Sequence, residues 1–296
     1  MMAASNEEAL SPVFLRKLER LSLSAKRPVA GQMKGDKRST KKGTGIDFAD
    51  YREYSPGDDL RYVDWNTAAR TDRLYLKLCI EEEDLYLALL PDTSMSMGFG
   101  EPAKLTTALR LATALGYIGL CNYDRVSVQP YAEILGKPLP LQRGRSAVPA
   151  MFQYMRNIQP AGATAFGHSL KRFAAASRSR GMAVVLSDFM NDDWETGLKA
   201  LAARGFQVTV LHLLSQEEMQ PAIRGDLKLI DCETNSEREL SVHPRLLERY
   251  QQVLNTFCSD IQSFCSRYGM NYLFIPSHAP LETLILQTLR RTGLVQ

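Results

Sequence analysis

From residue 84 to the C-terminus the chain alternates short apolar runs with stretches of helical periodicity, and few folds accommodate that rhythm. LYLALL at 85–90 is a continuous apolar run of strand length, as a strand buried on both faces requires. MAVVLSD (182–188), FQVTVLHLL (206–214) and MNYLFIPS (270–277) repeat the pattern. Between them, residues 102–121 carry Leu105, Leu109, Ala112 and Gly116 along one side, with Pro102 in the first turn. Residues 146–158, 166–180 and 192–204 also read as helical. A longer helix over 245–268 has an apolar stripe of Leu247, Tyr250, Leu254, Phe257, Ile261, Phe264 and Tyr268, and a last helix covers 281–292. RVSVQPYAEILGKPLPL supplies two strands about Ala132-Glu133, and the segments near 227–242 form a hairpin. Strands and helices in this order predict an α/β fold, a doubly wound and mostly parallel sheet.

The chain before residue 84 is organised differently. Residues 7–24 place Leu10, Phe14, Leu18 and Leu21 at roughly helical spacing, whereas KGDKRSTKKGTG (34–45) has no apolar content and reads as a basic loop. IDFADYREYSPGDDLRYVDW is rich in aromatics and broken at Pro56-Gly57, a strong turn signal. LYLKLCIEEE (74–83) then alternates as a half-buried strand does. The expected organisation is an N-terminal helix and basic loop over 1–45, a small strand-containing lobe over 46–83, and the α/β domain over 84–296. Asp58, Asp59, Arg61, Asp64, Trp65, Arg70 and Arg73 are expected to pair among themselves and pin the lobe to the sheet, with Trp65 buried. A docking surface is the alternative.

Composition narrows the class. A hydrophobic fraction of 45% and a charged fraction of 23% are those of an ordinary soluble globular protein. The net charge of +3 is too small to imply nucleic acid or an anionic membrane as partner of the whole chain. Ten basic against four acidic residues between Met1 and Gly45 leave +6 locally. No aromatic residues interleave with the bases of 34–42, so a solvated loop is expected there rather than a nucleic-acid arm. The acidic run Glu81–Asp84 reads as a solvated strand end. No secretory signal is visible, and no apolar run approaches the ~20 residues of a membrane span. Cys79, Cys121, Cys232, Cys258 and Cys265 contain no metal-type CxxC pair and are expected as free thiols in a reducing cytoplasm. His168, His212, His243 and His278 are scattered, with structural or surface roles expected.

The chemistry-bearing residues fall where a doubly wound sheet collects ligands, outside the carboxyl ends of its strands. Asp92-Thr-Ser94-Met-Ser96 follows LYLALLP directly, Gly162-Ala-Thr164 enters a helix, and Ser187-Asp188 closes MAVVL. Two carboxylates and three hydroxyls form an oxygen-only set that suits Mg²⁺ or Mn²⁺ and would not suit zinc. Mostly neutral ligands leave the cation with an appetite for one further anionic oxygen, which an Asp or Glu of another molecule can supply. The bland reading of the same residues is a capped turn.

DxSxS after the first sheet strand, GxT entering a later helix and SD closing the next strand resemble the metal-ion-dependent adhesion site (MIDAS) of von Willebrand factor A domains. The resemblance implies that Ser94, Ser96 and Thr164 approach the metal, and that Asp92 and Asp188 ligate it or hold coordinated water. GTGIDFADYREYSPGDDLRYVDWNTAARTDRLYLK followed by DTSMSM is similar to the bacterial "domain of unknown function 58" family, which couples such a tract to an A-type domain. Many of its members carry an N-terminal membrane hairpin, which this sequence does not show. Their genetic neighbourhood implies a MoxR-type AAA+ ATPase as partner, and a co-chaperone or adaptor role toward client proteins. The rival is a Mg²⁺-dependent hydrolase such as a phosphatase. A phosphatase that begins with a strand-end Asp wants a second acid two residues later, and Ser94 stands there. GxSxG and GxxxxGK[ST] are both absent, so no catalysis is expected.

Overall fold

The computed structural model describes residues 11–23, 47–80, 85–233, 236–290 and 294–295. The chain divides into two compact units, Met1–Pro28 with Leu85–Gln296, and Val29–Asp84. The basic stretch 34–45 and the acidic run 81–84 lie outside the described residues. Helix α1 (Pro12–Leu18) starts at Ser11, whose hydroxyl accepts the Phe14 N–H at 3.2 Å, with proline in the first turn. Its Phe14 and Leu18 are buried in the core of the larger unit.

In the smaller unit, β1 (Asp47–Glu53) runs antiparallel to β2 (Tyr75–Ile80), and helix α2 (Trp65–Thr71) lies between them in the chain. Asp64 caps α2, its carboxylate accepting the N–H groups of Asn66 at 3.0 Å and Thr67 at 3.1 Å. The Tyr51 hydroxyl donates to the same carboxylate at 2.7 Å and, with the Thr67 bond, holds its pKa below the usual carboxylate range. Arg52 pairs with Asp58 at 2.8 Å, Arg61 with Asp59 at 2.7 Å and Arg73 with Glu53 at 3.2 Å, each within the unit. Of the charges singled out in the sequence, Arg61 and Asp59 pair with each other, whereas Asp58 and Arg73 take Arg52 and Glu53 of β1 as partners. Trp65 departs from expectation: it is 61% exposed. Its helix, WNTAART, has no apolar stripe to turn inward and buries none of its residues.

The larger unit continues with β3 (Tyr86–Pro91), α3 (Lys104–Cys121), β4 (Arg125–Val128), β5 (Leu139–Arg143), α4 (Val148–Arg156) and α5 (Phe166–Ala176). β6 (Met182–Ser187), α6 (Trp194–Arg204), β7 (Gln207–Leu214) and the short α7 (Gln216–Met219) follow. The hairpin β8 (Gly225–Ile230) and β9 (Glu237–Val242), then α8 (Pro244–Arg267) and β10 (Asn271–Pro276), complete the main elements. A helical segment over Leu281–Thr283 widens into a π turn over Leu284–Leu289. The six-stranded sheet has the order β10-β7-β6-β3-β4-β5, parallel throughout except for β5, which pairs antiparallel with β4 at one edge.

Both faces of this sheet are covered, and strand pleating decides which side chain goes where. Leu87, Leu89, Val184, Leu186, Leu211 and Leu213 enter one core with α1, α3 and α4. Tyr86, Ala88, Leu90, Ala183, Val185, Val208 and Val210 enter the other with α5, α6 and α8. Helix α3 is buried almost all round, with only Thr106 and Arg110 half-buried, so its one-sided stripe understates its position. Pro102 precedes the N-cap Ala103 and lies outside the helix. Tyr268 follows the end of α8 and is exposed rather than part of its buried stripe. Among the described residues, no helix is long and apolar enough to cross a membrane. Cys121, Cys232, Cys258 and Cys265 are free thiols.

His212 of β7 illustrates what the double cover imposes. It is fully buried among the rings of Phe189, Phe257 and Phe274, at 5.5, 5.8 and 5.8 Å. Its Nδ1 lies 2.9 Å from the Tyr272 hydroxyl, and its Nε2 has no partner among the described residues. Burial pushes its pKa down to about 4. The unfolded chain takes up a proton below about 6.5, and the folded chain resists until about 4, so this group removes stability as pH falls through that window. His212→Phe is expected to flatten the loss by roughly 3 kcal/mol between those limits, measured by urea unfolding at several pH values. Parallel losses in the wild type and the variant would contradict the buried neutral imidazole.

Candidate functional site

The carboxyl ends of β3 and β6 lie side by side, and the chain leaves each with an acidic residue. Asp92 still belongs to the sheet, its N–H donating to the Leu186 carbonyl at 2.8 Å. Its Oδ1 then accepts the Ser94 N–H at 3.0 Å, the side-chain turn that makes Asp-x-Ser a strand-ending signal. Its Oδ2 accepts the Ser187 hydroxyl at 2.7 Å. Ser187 thus joins the constellation as a supporting group, its Oγ also accepting the Phe189 N–H at 3.0 Å. The hydroxyls of Ser94 and Ser96 lie 3.0 Å apart.

The second segment is clasped to the first by its backbone. Met95 N–H donates to the Gly162 carbonyl at 3.0 Å, and Ala161 N–H to the Thr93 carbonyl at 2.7 Å. Gly162 sits at φ +76°, a conformation that other residues adopt only with strain, and it turns the chain toward Thr164. The Thr164 carbonyl accepts the Asn191 side-chain amide at 3.0 Å, which ties this loop to the residues following β6. The Thr164 hydroxyl and N–H both donate to Glu233, at 2.8 and 3.0 Å. All three sequence segments therefore converge on one rim of the sheet. Asp92, Ser94 and Asp188 are buried, whereas Ser96 and Thr164 are half-exposed.

Electrostatics give the rim its character. Burial, and then the charge of Asp188, push the Asp92 carboxyl up to about 7. Asp188 has a cation of its own: Lys104, at the first position of α3, lies 2.7 Å from its Oδ2. The Lys104 side chain is 1% exposed and also pairs with Glu218. Burial alone would lower the lysine, but the charges of Asp188 and Glu218 outweigh it and hold the ammonium above its usual range. Glu218 is placed by a capping box, its Oε2 accepting the Ser215 N–H at 2.8 Å while Ser215 Oγ accepts the Glu218 N–H at 3.2 Å. Gly100 lets the preceding loop reach this point, since a Cβ there would lie 2.4 Å from that of Ser215.

The five residues singled out in the sequence, Asp92, Ser94, Ser96, Thr164 and Asp188, lie on this rim, whereas Lys104, Glu218 and Glu233, which pair with Asp188 and Thr164 or share the lysine there, were not singled out. A lysine in a helix with no other charge on its inner faces, and the S-x-x-E run at 215–218, were the available signals. Nothing in the sequence announces Glu233. No cluster of three or more His, Cys, Asp or Glu side chains suited to an ion occurs among the described residues; the candidate set holds two carboxylates and otherwise hydroxyls.

The family model described as "Protein of unknown function DUF58" matches residues 50–256, more than half of the chain. Uncharacterized proteins of Mycobacterium bovis and Mycobacterium tuberculosis are 27% identical over 256 residues, covering 84% of this chain and 80% of theirs. Among solved structures, the conserved hypothetical protein BatB of Bacteroides thetaiotaomicron aligns over 71% of this chain and 98% of its own at 18% identity and a TM-score of 0.46. The pilus adhesin SpaC of Lactobacillus rhamnosus GG aligns over 73% of this chain and 31% of its own at 12% identity and a TM-score of 0.45.

A buried lysine facing two carboxylates makes a definite demand on the fold. Lys104→Met leaves Asp188 buried without its cation, and a loss of about 3–5 kcal/mol is expected from urea unfolding monitored by circular dichroism. A loss below about 1 kcal/mol, the scale of a surface ion pair, would show that the pair is dispensable.

Proposed function

This chain belongs to the DUF58 family, and we propose that it serves there as a metal-dependent protein-binding module with a von Willebrand A-like larger unit. The observation that carries the reading is the buried Asp92 carboxyl, which meets a second buried carboxylate while Lys104, the one ammonium at the rim among the described residues, is already shared between Asp188 and Glu218. A hard divalent cation relieves that repulsion, and the neighbouring hydroxyls are ligands of the right kind. Asp92, Ser94, Ser96, Thr164 and Asp188 would hold Mg²⁺ or Mn²⁺. Asp188, with Lys104 on one oxygen and the Met190 N–H at 3.1 Å on the other, suits the outer part of the set.

When bound, the ion supplies one incompletely neutralised positive centre that accepts a further carboxylate oxygen. The residues of the chain do the rest. Ser187 and the Ser94 N–H hold the Asp92 carboxylate in place, and Lys104 prevents Asp188 from drawing the charge inward. An Asp or Glu of a client protein is the natural visitor, and no step of bond-making is required of the module. The resemblance to proteins found beside MoxR-type AAA+ ATPases supports a co-chaperone or adaptor role with such an ATPase in the cytoplasm. A phosphatase reading lacks its second acid, because two residues after Asp92 stands Ser94, whose hydroxyl lies 3.0 Å from that of Ser96.

Asp92→Ala is expected to abolish Mg²⁺-dependent capture of a partner from native-cell extract and leave the circular dichroism spectrum unchanged. The check is a pull-down with and without EDTA, read by mass spectrometry. Capture that is indifferent to both EDTA and Asp92→Ala would remove the metal from the account.

A further inference from the structure

The hairpin β8–β9 stands apart from the six-stranded sheet. Among the described residues its strands pair only with each other, and every strand residue except Val242 is exposed or half-exposed. Leu229 and Ile230 are 46% and 60% exposed. A two-stranded ribbon is marginally stable alone, so its position depends on what holds its tip. Glu233 does so. One of its oxygens accepts the Thr164 N–H at 3.0 Å and the other the Thr164 hydroxyl at 2.8 Å, across 69 positions of chain. Asp231 accepts the Glu233 N–H at 2.8 Å and steadies the turn that presents the carboxylate.

The receiving end is built without help from the hairpin. Thr164 is anchored through its carbonyl by Asn191, and Gly162 through its carbonyl by Met95. Two donors of one residue thus point at a single carboxylate, a charge-assisted and directional pairing. The rim around it already holds Asp92, Asp188 and Glu218 against one lysine. A second carboxylate arriving beside Glu233 would add to that repulsion, and one arriving in place of Glu233 would not.

We propose that Thr164 is the core of a carboxylate-binding site, filled here by the chain's own Glu233, and that the acidic residue of a partner protein binds by displacing the hairpin tip. The inference rests on the protein-binding reading of the rim and adds to it the identity of the internal competitor. The hairpin then acts as a tethered pseudo-ligand. Affinity for a partner is reduced by the fraction of molecules in which Glu233 occupies the site.

The experiment uses the full-length chain labelled with ¹⁵N, follows the Thr164 amide by NMR, and takes sodium acetate as the probe carboxylate. In the wild type the amide should be protected from exchange and indifferent to acetate. In Glu233→Ala it should exchange about tenfold faster or more, and acetate should restore its shift and protection saturably while the rest of the spectrum keeps its pattern. An unchanged Thr164 amide in Glu233→Ala, or no saturable response to acetate there, overturns the proposal. So does an equal response to acetate in the wild type. Repeating the titration with EDTA and in Asp92→Ala/Glu233→Ala separates the two claims. Rescue that survives both keeps the carboxylate site and removes the metal; metal-dependent capture without any rescue does the reverse.

Discussion

Two carboxylates taken out of water at the adjoining ends of β3 and β6, one of which shares an ammonium with a third acid, set the terms for everything at this rim. Isolated, a buried carboxylate costs several kcal/mol, and the fold offsets that through many small provisions. Ser187 and the Ser94 N–H bond Asp92, Lys104 and the Met190 N–H bond Asp188, and a capping box fixes Glu218 where it can share the lysine. The parallel sheet makes this possible because neighbouring strands release their chains at the same edge. Its double apolar cover keeps the site dry from below. What has no cation beside it among the described residues is Asp92: three acids, Asp92, Asp188 and Glu218, stand against Lys104, and the proposed function starts from that imbalance.

On the proposed metal reading, hydroxyls rather than further acids complete the set. A cage of carboxylates would quench a divalent ion, whereas Ser94, Ser96 and Thr164 would leave it able to attract an outside oxygen. Thr164 stands at the boundary between structure and recognition, half-exposed and already holding a carboxylate in Glu233. A site that wants an acid and finds one within its own chain is a site whose access can be regulated by a hairpin. The apolar residues around it, Met95, Phe99 and Met190, are all substantially exposed on the loops of the rim and give an incoming segment something to pack against.

Much of this was legible beforehand, for identifiable reasons. Strands buried on both faces read as unbroken apolar runs, so β3, β6 and β7 were visible, and the rule that ligands gather at strand ends then drew attention to Asp92, Ser94, Ser96 and Asp188, with Thr164 added as a residue entering a helix. The hairpin read near 227–242 is present as β8 and β9. Lys104 was hidden because a lysine near a helix start ordinarily reads as solvated, and only the partner carboxylates justify its burial. Glu233 was hidden because its meaning lies wholly in a contact 69 positions away. Trp65 misled because an aromatic residue invites a core, whereas the short helix that bears it has no inward face.

The central claim concerns the occupant of the rim, and crystals grown with Mn²⁺ address it most directly through the anomalous signal of the ion. The account requires one strong peak bounded by Asp92, Ser94, Ser96 and Thr164, and its loss in Asp92→Asn. A map with no peak at saturating Mn²⁺, or with its peak elsewhere on the molecule, would contradict it.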